Sequence, residues 1–284
     1  MLKQVVKTGK ILFDKDNQIV FLFGAKPDPD NKGCRQEFHE YSEKHLSHYK
    51  MLLSEDFFNV FDNGERLDLL TIESQLAAYT DCVLIFLESA GSLAELGAFS
   101  LHDELAKITL VVNNSIHQQV DSFINLGPLK RVEKKSKFGG AIYGDFSNIL
   151  LSVNEIEKRL KGGMKKRSYA VNISSFENLE DRANRRFKML FISDLINLLG
   201  PIRKKELIYV LKYVFDADYI NIDFELSLLE SLKLTKSDKE FIVRGDSDEF
   251  YFFKYKGLQL VKLRSGVVNH FAKYYPDRFN RLLK

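Results

Sequence analysis

A strand, a tight turn and a helix follow one another within residues 81–100, whose sequence is DCVLIFLESAGSLAELGAFS. Cys82–Leu87 is a continuous apolar run, which is typical of a parallel strand buried on both faces. Small residues follow it, and Leu93–Leu105 then has helical spacing. This order predicts backbone N–H groups in a crevice at the carboxyl end of the strand, where open parallel sheets bind ligands.

The first half of the chain repeats this alternation of strand and helix. The predicted strands are Ile19–Phe23, Phe57–Phe61, Cys82–Leu87 and Ile108–Val112, and the predicted helices are Arg35–Leu53, Leu67–Tyr79 and Leu93–Leu105. Such alternation predicts an α/β fold of the Rossmann or flavodoxin type, in which helices cover both faces of a parallel sheet.

The second half has a different pattern, which predicts a winged helix. Three helices are expected at Asn178–Leu199, Arg203–Phe215 and Phe224–Leu232. A hairpin of Phe241–Val243 and Phe250–Phe253 follows them, and Gly257–Lys284 adds one or two closing helices. The small and basic segment 162–167 is the expected linker. We therefore predict domains at 1–161 and 168–284, and a fragment beginning near Met164 is expected to fold alone.

Charge is divided unevenly between the two halves. Residues 1–160 contain 18 Lys and Arg against 23 Asp and Glu, whereas residues 161–284 contain 24 against 16. The basic half is therefore expected to meet a polyanion such as nucleic acid. The sequence contains no apolar run of about 18 residues and starts without a signal-peptide core, so we expect a cytoplasmic protein with no membrane contact.

Glu95 is the principal candidate for chemistry. It is expected in the first turn of the helix, where the helix dipole keeps a carboxylate ionised, and it could attack or stabilise an electron-poor sugar carbon. The alternative is that Glu95 only complements the charge of the helix N-terminus, as acidic residues on protein surfaces often do.

The residues around Glu95 resemble a known family. Gly91-Ser92-Leu93-Ala94-Glu95-Leu96-Gly97 is similar to the segment of nucleoside 2-deoxyribosyltransferases that carries their nucleophilic Glu. The longer string 88–100 resembles the deoxyribosyltransferase-like effectors encoded beside bacterial retron reverse transcriptases. Phe123–Pro128 and Phe21–Ala25 match the same effectors. Ser89 stands where the true transferases usually carry Asp, which counts against sugar transfer to a second base.

This resemblance implies a toxic anti-phage effector that cleaves the N-glycosidic bond of a nucleotide. Glu95 would act at the anomeric carbon, NAD⁺ is the leading substrate, and no cofactor is required. The resemblance also implies that a retron reverse transcriptase and its multicopy single-stranded DNA (msDNA) hold the effector inactive. A homodimer or higher assembly is expected.

Further candidate residues surround the predicted crevice. Glu88 would position water or a ribose hydroxyl, or be a solvated turn carboxylate. The sugar would be approached by Ser89, Gly91 and Ser92, although a plain tight turn also needs small residues. The crevice itself would be lined by Phe23, Gly24 and Ala25.

Three more candidates have two interpretations each. Arg35 would pair with a phosphate or be a surface residue at a helix start. Asp81 would bind the edge of the base or be a loop carboxylate, the latter being the more common situation. Asn125 would cap the Gly127-Pro128 turn or contact a ligand, including one across a dimer.

Basic residues in the second half are candidates for nucleic-acid contacts. They are Lys165, Lys166, Arg167, Arg182, Arg185 and Arg186, and the run 130–137 is a further candidate. Such runs are more often solvated faces, but their coincidence with a winged-helix pattern favours nucleic acid. The six histidines show no metal-binding spacing.

Two other functional classes remain compatible with the sequence. One is a winged-helix regulator that senses a nucleotide without turning it over. The other is a housekeeping enzyme, either a deoxyribosyltransferase or a nucleotide phosphoribohydrolase, although neither enzyme would need a basic second domain.

Overall fold

The structure is a computed structural model of the 284-residue chain. It describes residues 1–8, 11–13, 18–61, 68–164, 168–171, 173, 182–217, 221–245 and 251–283. The chain divides into two compact units. The parallel-sheet unit consists of Asp16–Glu55 and Asn63–Lys166. The helical unit consists of Met1–Lys15, Asp56–Asp62 and Arg167–Lys284.

The secondary structure alternates in the first half and becomes mainly helical in the second. The strands are β1 (Ile11–Phe13), β2 (Gln18–Phe23), β3 (Tyr49–Leu52), β4 (Cys82–Phe86), β5 (Thr109–Asn114), β6 (Ile142–Gly144), β7 (Tyr169–Val171), β8 (Ile202–Arg203), β9 (Thr235–Asp238), β10 (Phe241–Arg244) and β11 (Phe253–Tyr255). The helices are α1 (Leu2–Lys7), α2 (Cys34–His45), α3 (Ser54–Val60), α4 (Leu69–Ala77), α5 (Ala90–Leu101), α6 (Asp103–Ile108), α7 (Lys130–Lys135), α8 (Val153–Gly163), α9 (Arg182–Leu199), α10 (Lys204–Phe215), α11 (Asp223–Ser231), α12 (Leu260–Tyr274) and α13 (Pro276–Leu282).

The parallel-sheet unit is built on five parallel strands in the order β3-β2-β4-β5-β6. Every residue of β2 and β4 is buried, which explains their continuous apolar sequences. Helices follow the strands in sequence, as in Rossmann-like folds, so the predicted α/β class with a parallel sheet is confirmed. The loops after β2, β3 and β4 leave the sheet at its carboxyl edge, which is the expected position of a site.

The second strand of this unit was predicted wrongly. Helix α2 ends at His45, and Tyr49–Leu52, which we expected to continue that helix, forms β3. Residues 57–61, expected to be a strand, lie mostly in helix α3. The i, i+4 spacing of Phe57 and Phe61 stacks their rings at 4.8 Å between centroids, which is a helical contact.

The helical unit contains the three predicted helices, as α9, α10 and α11, and the closing helices α12 and α13. The predicted hairpin is wrong. Strand β10 pairs with β9 across a turn in which Lys239 has φ of 58°, and β8 completes an antiparallel sheet in the order β8-β10-β9. Residues 246–250, which held most of the predicted turn, lie outside the described residues.

The N-terminus belongs to the helical unit, which the predicted boundary at 161–168 did not anticipate. Strand β1 lies between β7 and β11 in an antiparallel sheet. The ring of Phe13 is buried and lies 5.8 Å or less from the rings of Tyr169, Phe187 and Phe253. The pairing joins residues more than 150 positions apart, so no local pattern could indicate it.

A buried carboxylate joins α9 to β11 inside the helical unit. Asp194 accepts hydrogen bonds from the backbone N–H groups of Phe252 and Phe253 and from the hydroxyl of Tyr255, at 2.8 to 3.1 Å.

Among the described helices, none is both long and apolar enough to cross a membrane.

The position of β1 reverses the expectation for an isolated C-terminal fragment. A fragment of residues 164–284 lacks Ile11 and Phe13, which are buried in the full chain. Loss of a buried aromatic residue alone costs about 3–5 kcal/mol. We therefore expect this fragment to unfold without a cooperative transition in urea, whereas the full chain gives one. A fragment that unfolds as cooperatively as the full chain would show that β1 is dispensable.

Candidate functional site

The loops after β2, β3 and β4 carry the candidate site at the carboxyl edge of the parallel sheet. The β2 loop supplies Gly24 and Ala25, and the β4 loop supplies Glu88 and Ser89. The loop after β3 leads to Ser54 and Glu55 at the start of α3. Sequence reasoning missed this loop because it placed the strand at residues 57–61.

Glu88 is bonded to the protein backbone. Its carboxylate accepts hydrogen bonds from the N–H groups of Ala25 and Arg35, both at 3.0 Å, and from that of Cys34. A Cβ atom at Gly24 would lie 2.5 Å from one carboxylate oxygen, and one at Gly33 would lie 2.8 Å from the other. The Glu88 carboxylate therefore lies at the N-terminus of α2 and binds its backbone N–H groups. We had expected it to position water or a ribose hydroxyl, or to be a solvated turn residue, and the structure shows neither.

The turn after Glu88 is a helix cap. Ser89 precedes α5, and its hydroxyl accepts a hydrogen bond from the N–H of Ser92 at 3.1 Å, while the Ser92 hydroxyl accepts one from the N–H of Ser89 at 3.1 Å. Both hydroxyls, proposed to bind the sugar, thus satisfy backbone groups. A Cβ at Gly91 would meet only the Ser89 hydroxyl at 3.7 Å, so packing there does not require glycine.

Glu95 lies in the second turn of α5, because the helix begins at Ala90. Its Oε2 atom is buried and has no hydrogen-bond partner in the described structure. Burial, followed by the neighbouring charge of Glu73, raises the pKa of Glu95 to about 7. The direction of this shift is opposite to the one that we expected from the helix dipole, because Glu95 lies beyond the first turn, where loss of solvent outweighs the dipole.

Glu95 belongs to a cluster of acidic groups around one arginine. Arg35 is buried, and its guanidinium binds both carboxylate oxygens of Glu55 at 2.7 and 3.2 Å. Burial raises the pKa of Glu55, but the hydrogen bonds from Arg35 outweigh it and hold that pKa below its ordinary value. We had expected Arg35 to pair with a phosphate or to lie at the surface. In the structure its guanidinium is buried and paired with the carboxylate of Glu55.

Glu73 is the third carboxylate of this cluster. It lies on α4 with 8% of its surface exposed, and burial raises its pKa to about 7 although the Ser54 side chain donates a hydrogen bond to it. Sequence reasoning missed both Glu55 and Glu73. Assigning a strand to Tyr49–Leu52 would have revealed Glu55 at the carboxyl edge, whereas Glu73 interrupts the apolar face of α4 and carries no recognisable motif.

Other predicted site residues lie elsewhere or are engaged by the protein. Phe23 is buried, with its ring 5.1 Å from that of Phe99, and therefore belongs to the core. Asp81 precedes β4 and accepts a hydrogen bond from the N–H of Ile19, so it lies at the opposite edge of the sheet from Glu88. The side-chain amide of Asn125 donates to two loop carbonyls, those of His117 and Val120, both at 2.7 Å.

The predicted nucleic-acid residues receive little structural support. Lys165, Lys166 and Arg167 lie outside the described residues, as does the side chain of Arg182. Arg185 is half-buried. Arg186 is buried, with its guanidinium 4.9 Å from the ring centroid of Phe13, so it packs inside the unit and is unavailable to a phosphate. Within the described residues, no three acidic, histidine or cysteine side chains are grouped to hold a metal ion.

A comparison with protein families identifies the family of this chain. A family model described as "STM3845 retron effector protein" matches residues 31–237, which is more than half of the chain. The chain belongs to this family of retron effectors. The match spans the strand β4, the helix α5 and Glu95, so the resemblance found around Glu95 is confirmed at the level of the family.

Two relatives of the effector come from Escherichia coli. One, "Retron Ec73 putative ribosyltransferase/DNA-binding protein", is 30% identical over 214 residues, covering 71% of this chain and 68% of its own length. The other, "Retron Ec86 putative ribosyltransferase/DNA-binding protein", is 30% identical over 116 residues, covering 40% of this chain and 37% of its own length.

The raised pKa of Glu95 predicts a pH-dependent effect on stability. A carboxyl whose pKa is higher in the folded than in the unfolded state contributes most stability at low pH, and that contribution is lost as the pH rises through about 7. Glu95→Gln removes this loss. We expect the variant to be about 1–2 kcal/mol more stable than the effector itself at pH 8, and to lose that advantage at pH 5.

Urea unfolding of both proteins at the two pH values measures the difference. Glu104→Gln is the matched control, because Glu104 lies on α6 with its side chain 68% exposed. Equal stability differences at pH 5 and pH 8 would show that Glu95 titrates normally.

Proposed function

We propose that this retron effector is an N-glycosidase that hydrolyses a nucleotide, with NAD⁺ as the leading substrate and Glu95 as the group acting at the anomeric carbon. The observation that carries the proposal is the buried, unpartnered Oε2 of Glu95 within the cluster of Glu55, Glu73 and Arg35. A carboxyl with a strongly perturbed pKa at the carboxyl edge of a parallel sheet is a functional-site candidate on physical grounds.

The charge of the cluster favours a cationic substrate group. Arg35 is neutralised by Glu55, so Glu73 and Glu95 leave the site negative when either is ionised. In NAD⁺ the nicotinamide ring is positive, and cleavage moves positive charge onto the ribose as an oxocarbenium ion. Carboxylates close to a charge that develops in the transition state stabilise it selectively.

The proposed reaction balances without a cofactor. The bond between C1′ and the nicotinamide nitrogen breaks, and its electron pair neutralises the ring. Glu95 either forms a bond to C1′, later displaced by water, or stabilises the cation while water attacks. The proton that water releases passes to a carboxylate of the cluster, for which Glu73 is suited because its pKa is about 7.

Glu95→Gln tests the chemistry directly. Because the amide cannot act as an anionic nucleophile or stabiliser, we expect NAD⁺ hydrolysis by the purified variant to fall by about a thousandfold or more, with loss of toxicity in cells.

Glu73→Gln removes a negative charge that raises the pKa of Glu95. In a plot of the rate of hydrolysis against pH, the rate of this variant should therefore begin to rise at a lower pH than that of the unmodified protein. Glu104→Gln is the matched control and should retain full activity.

Metabolite profiling separates the proposal from its alternatives. Toxicity with unchanged NAD⁺ and falling amounts of another nucleotide would redirect the substrate assignment. Toxicity that survives Glu95→Gln with all nucleotide pools unchanged would overturn the glycosidase and favour a regulator that senses a nucleotide without turnover.

We further propose that the helical unit contains a winged helix that docks on nucleic acid. The order α9, β8, α10, α11, β9, β10 is that of a winged helix. Helix α11 would occupy the position of the recognition helix, but its sequence contains no Lys or Arg that could contact a phosphate. Its acidic residues Asp223 and Glu225 are paired with Lys204 and Lys188.

The β9–β10 hairpin is therefore the better candidate for the contact with nucleic acid. It carries Lys236, Lys239 and Arg244, all exposed. Its acidic residues are paired, Asp238 with Arg281 and Glu240 with Arg203. We call Thr235–Arg244 the wing and assign it the docking function that we first expected of residues 165–167 and 182–186.

The proposed partners are the retron reverse transcriptase and its msDNA, which would restrain the effector until infection disturbs the complex. Membership of a retron effector family supports an association with retron components. The names of both relatives include the words "DNA-binding protein", which supports a nucleic-acid partner for this chain. Assembly as a homodimer or larger oligomer is part of the same proposal.

The wing can be tested by charge reversal. Lys239→Glu with Arg244→Glu should weaken binding of the full chain to structured single-stranded DNA by about tenfold or more at low salt and flatten its salt dependence, since phosphate contacts release counterions. Lys158→Glu with Lys161→Glu, on exposed positions of α8, is the matched control. Equal weakening by both pairs would indicate non-specific attraction, and no weakening by the wing pair would exclude the wing.

A further inference from the structure

A groove of about 1200 Å³ lies within the helical unit between α10 and α12. Its lining is mainly apolar and combines aliphatic side chains with the aromatic rings of Tyr209 and Phe271. The aliphatic residues are Leu199, Ile202, Val210, Leu263 and Val267. Pockets for small ligands usually measure about 300–1,000 Å³. A groove of this size and composition suits an apolar stretch of polypeptide.

Gly266 gives the groove an unusual wall. It lies in the middle of α12, is exposed, and lines the groove. A Cβ added at this position would meet no heavy atom within 4 Å, so internal packing does not require a glycine. Glycine also weakens a helix interior relative to alanine. Its presence leaves the backbone of α12 open to close approach from the groove.

The unpaired charge around the groove is positive. Lys205 and Lys262 line it and are exposed, and within the described residues neither has an acidic partner. The one carboxylate of the lining, Glu206, is bonded to Arg278 at 2.6 Å and to the backbone N–H of Arg203. An occupant that complements this rim carries acidic groups beside its apolar surface.

We propose that this groove binds an amphipathic helix of a partner protein. Apolar residues spaced i, i+3 or i+4, and i+7 would fill the groove against Gly266, and flanking carboxylates would meet Lys205 and Lys262. The mainly apolar lining favours a protein over a nucleic acid, because binding of nucleic acid depends chiefly on many cations that contact phosphates, and the lining offers only Lys205 and Lys262 as exposed lysines. The proposal adds a protein-docking surface to the glycosidase and nucleic-acid functions above.

The test begins with a display library of short helical peptides, selected on the immobilised full-length chain. The best peptide is labelled and titrated by fluorescence polarisation. We expect an amphipathic helix with acidic flanks. Gly266→Leu should weaken its binding by about thirtyfold or more by filling the groove, and Lys205→Glu with Lys262→Glu should weaken it by about tenfold.

Gly162→Leu provides the matched control for the filled groove. Gly162 lies in α8, is exposed, and would also give a Cβ no neighbour within 4 Å, but it belongs to the parallel-sheet unit. This variant should bind the peptide normally. Thermal unfolding of both leucine variants should resemble that of the unmodified chain, which separates a blocked groove from a misfolded protein.

Three outcomes overturn the proposal. The first is that no peptide is enriched, or that the enriched peptides bind Gly266→Leu as well as the unmodified chain. The second is that the chain self-associates and Gly266→Leu abolishes the association, which would make a second copy the occupant. The third is that Gly266→Leu abolishes oligonucleotide binding while peptide binding is absent, which would make the groove a nucleic-acid site.

Discussion

The carboxylate of Glu88 is the interaction on which the candidate site depends. It leaves the end of β4 and accepts the N–H groups of Ala25, Cys34 and Arg35, so it ties the β2 loop and the N-terminus of α2 to the central strand. The approach is possible because Gly24 and Gly33 have no Cβ. Helix N-termini in related folds often hold a phosphate of the ligand. Here the protein supplies its own anion.

This internal anion determines what the surrounding residues can do. With α2 held at its first residues, the buried Arg35 side chain reaches Glu55 on α3 and forms a two-pronged ion pair. The charge of Arg35 still lowers the pKa values of Glu95 and Glu73, but by less than burial raises them. Both carboxyls therefore retain raised pKa values, a condition that costs folding free energy. Such destabilised groups are common where a site needs a reactive carboxylate, and stability elsewhere must offset them.

In the helical unit, the buried polar residues stabilise the fold and the exposed surfaces are the candidates for binding. Strand β1 and the buried carboxylate of Asp194 hold β11 in place. Arg186, which the sequence suggested as a surface contact to nucleic acid, packs against aromatic rings instead. Asp194 and Arg186 are therefore structural residues. Two exposed features are the basic wing and the mainly apolar groove beside Gly266. These two surfaces differ in chemistry, which suggests different partners for a protein whose family implies association with other retron components.

The sequence by itself determined the central strands β2 and β4, the helix α5, the order of helices in the second half and the family, because all of these rest on local periodicity or on a contiguous motif around Glu95. Tertiary structure alone decided how the polar side chains are used. Glu88 became a backbone anchor and Arg35 the partner of Glu55. Burial raised the pKa of Glu95, and β1 crossed into the helical unit. Each of these outcomes depends on loss of solvent or on partners distant in the chain, and neither leaves a periodic signal in the sequence.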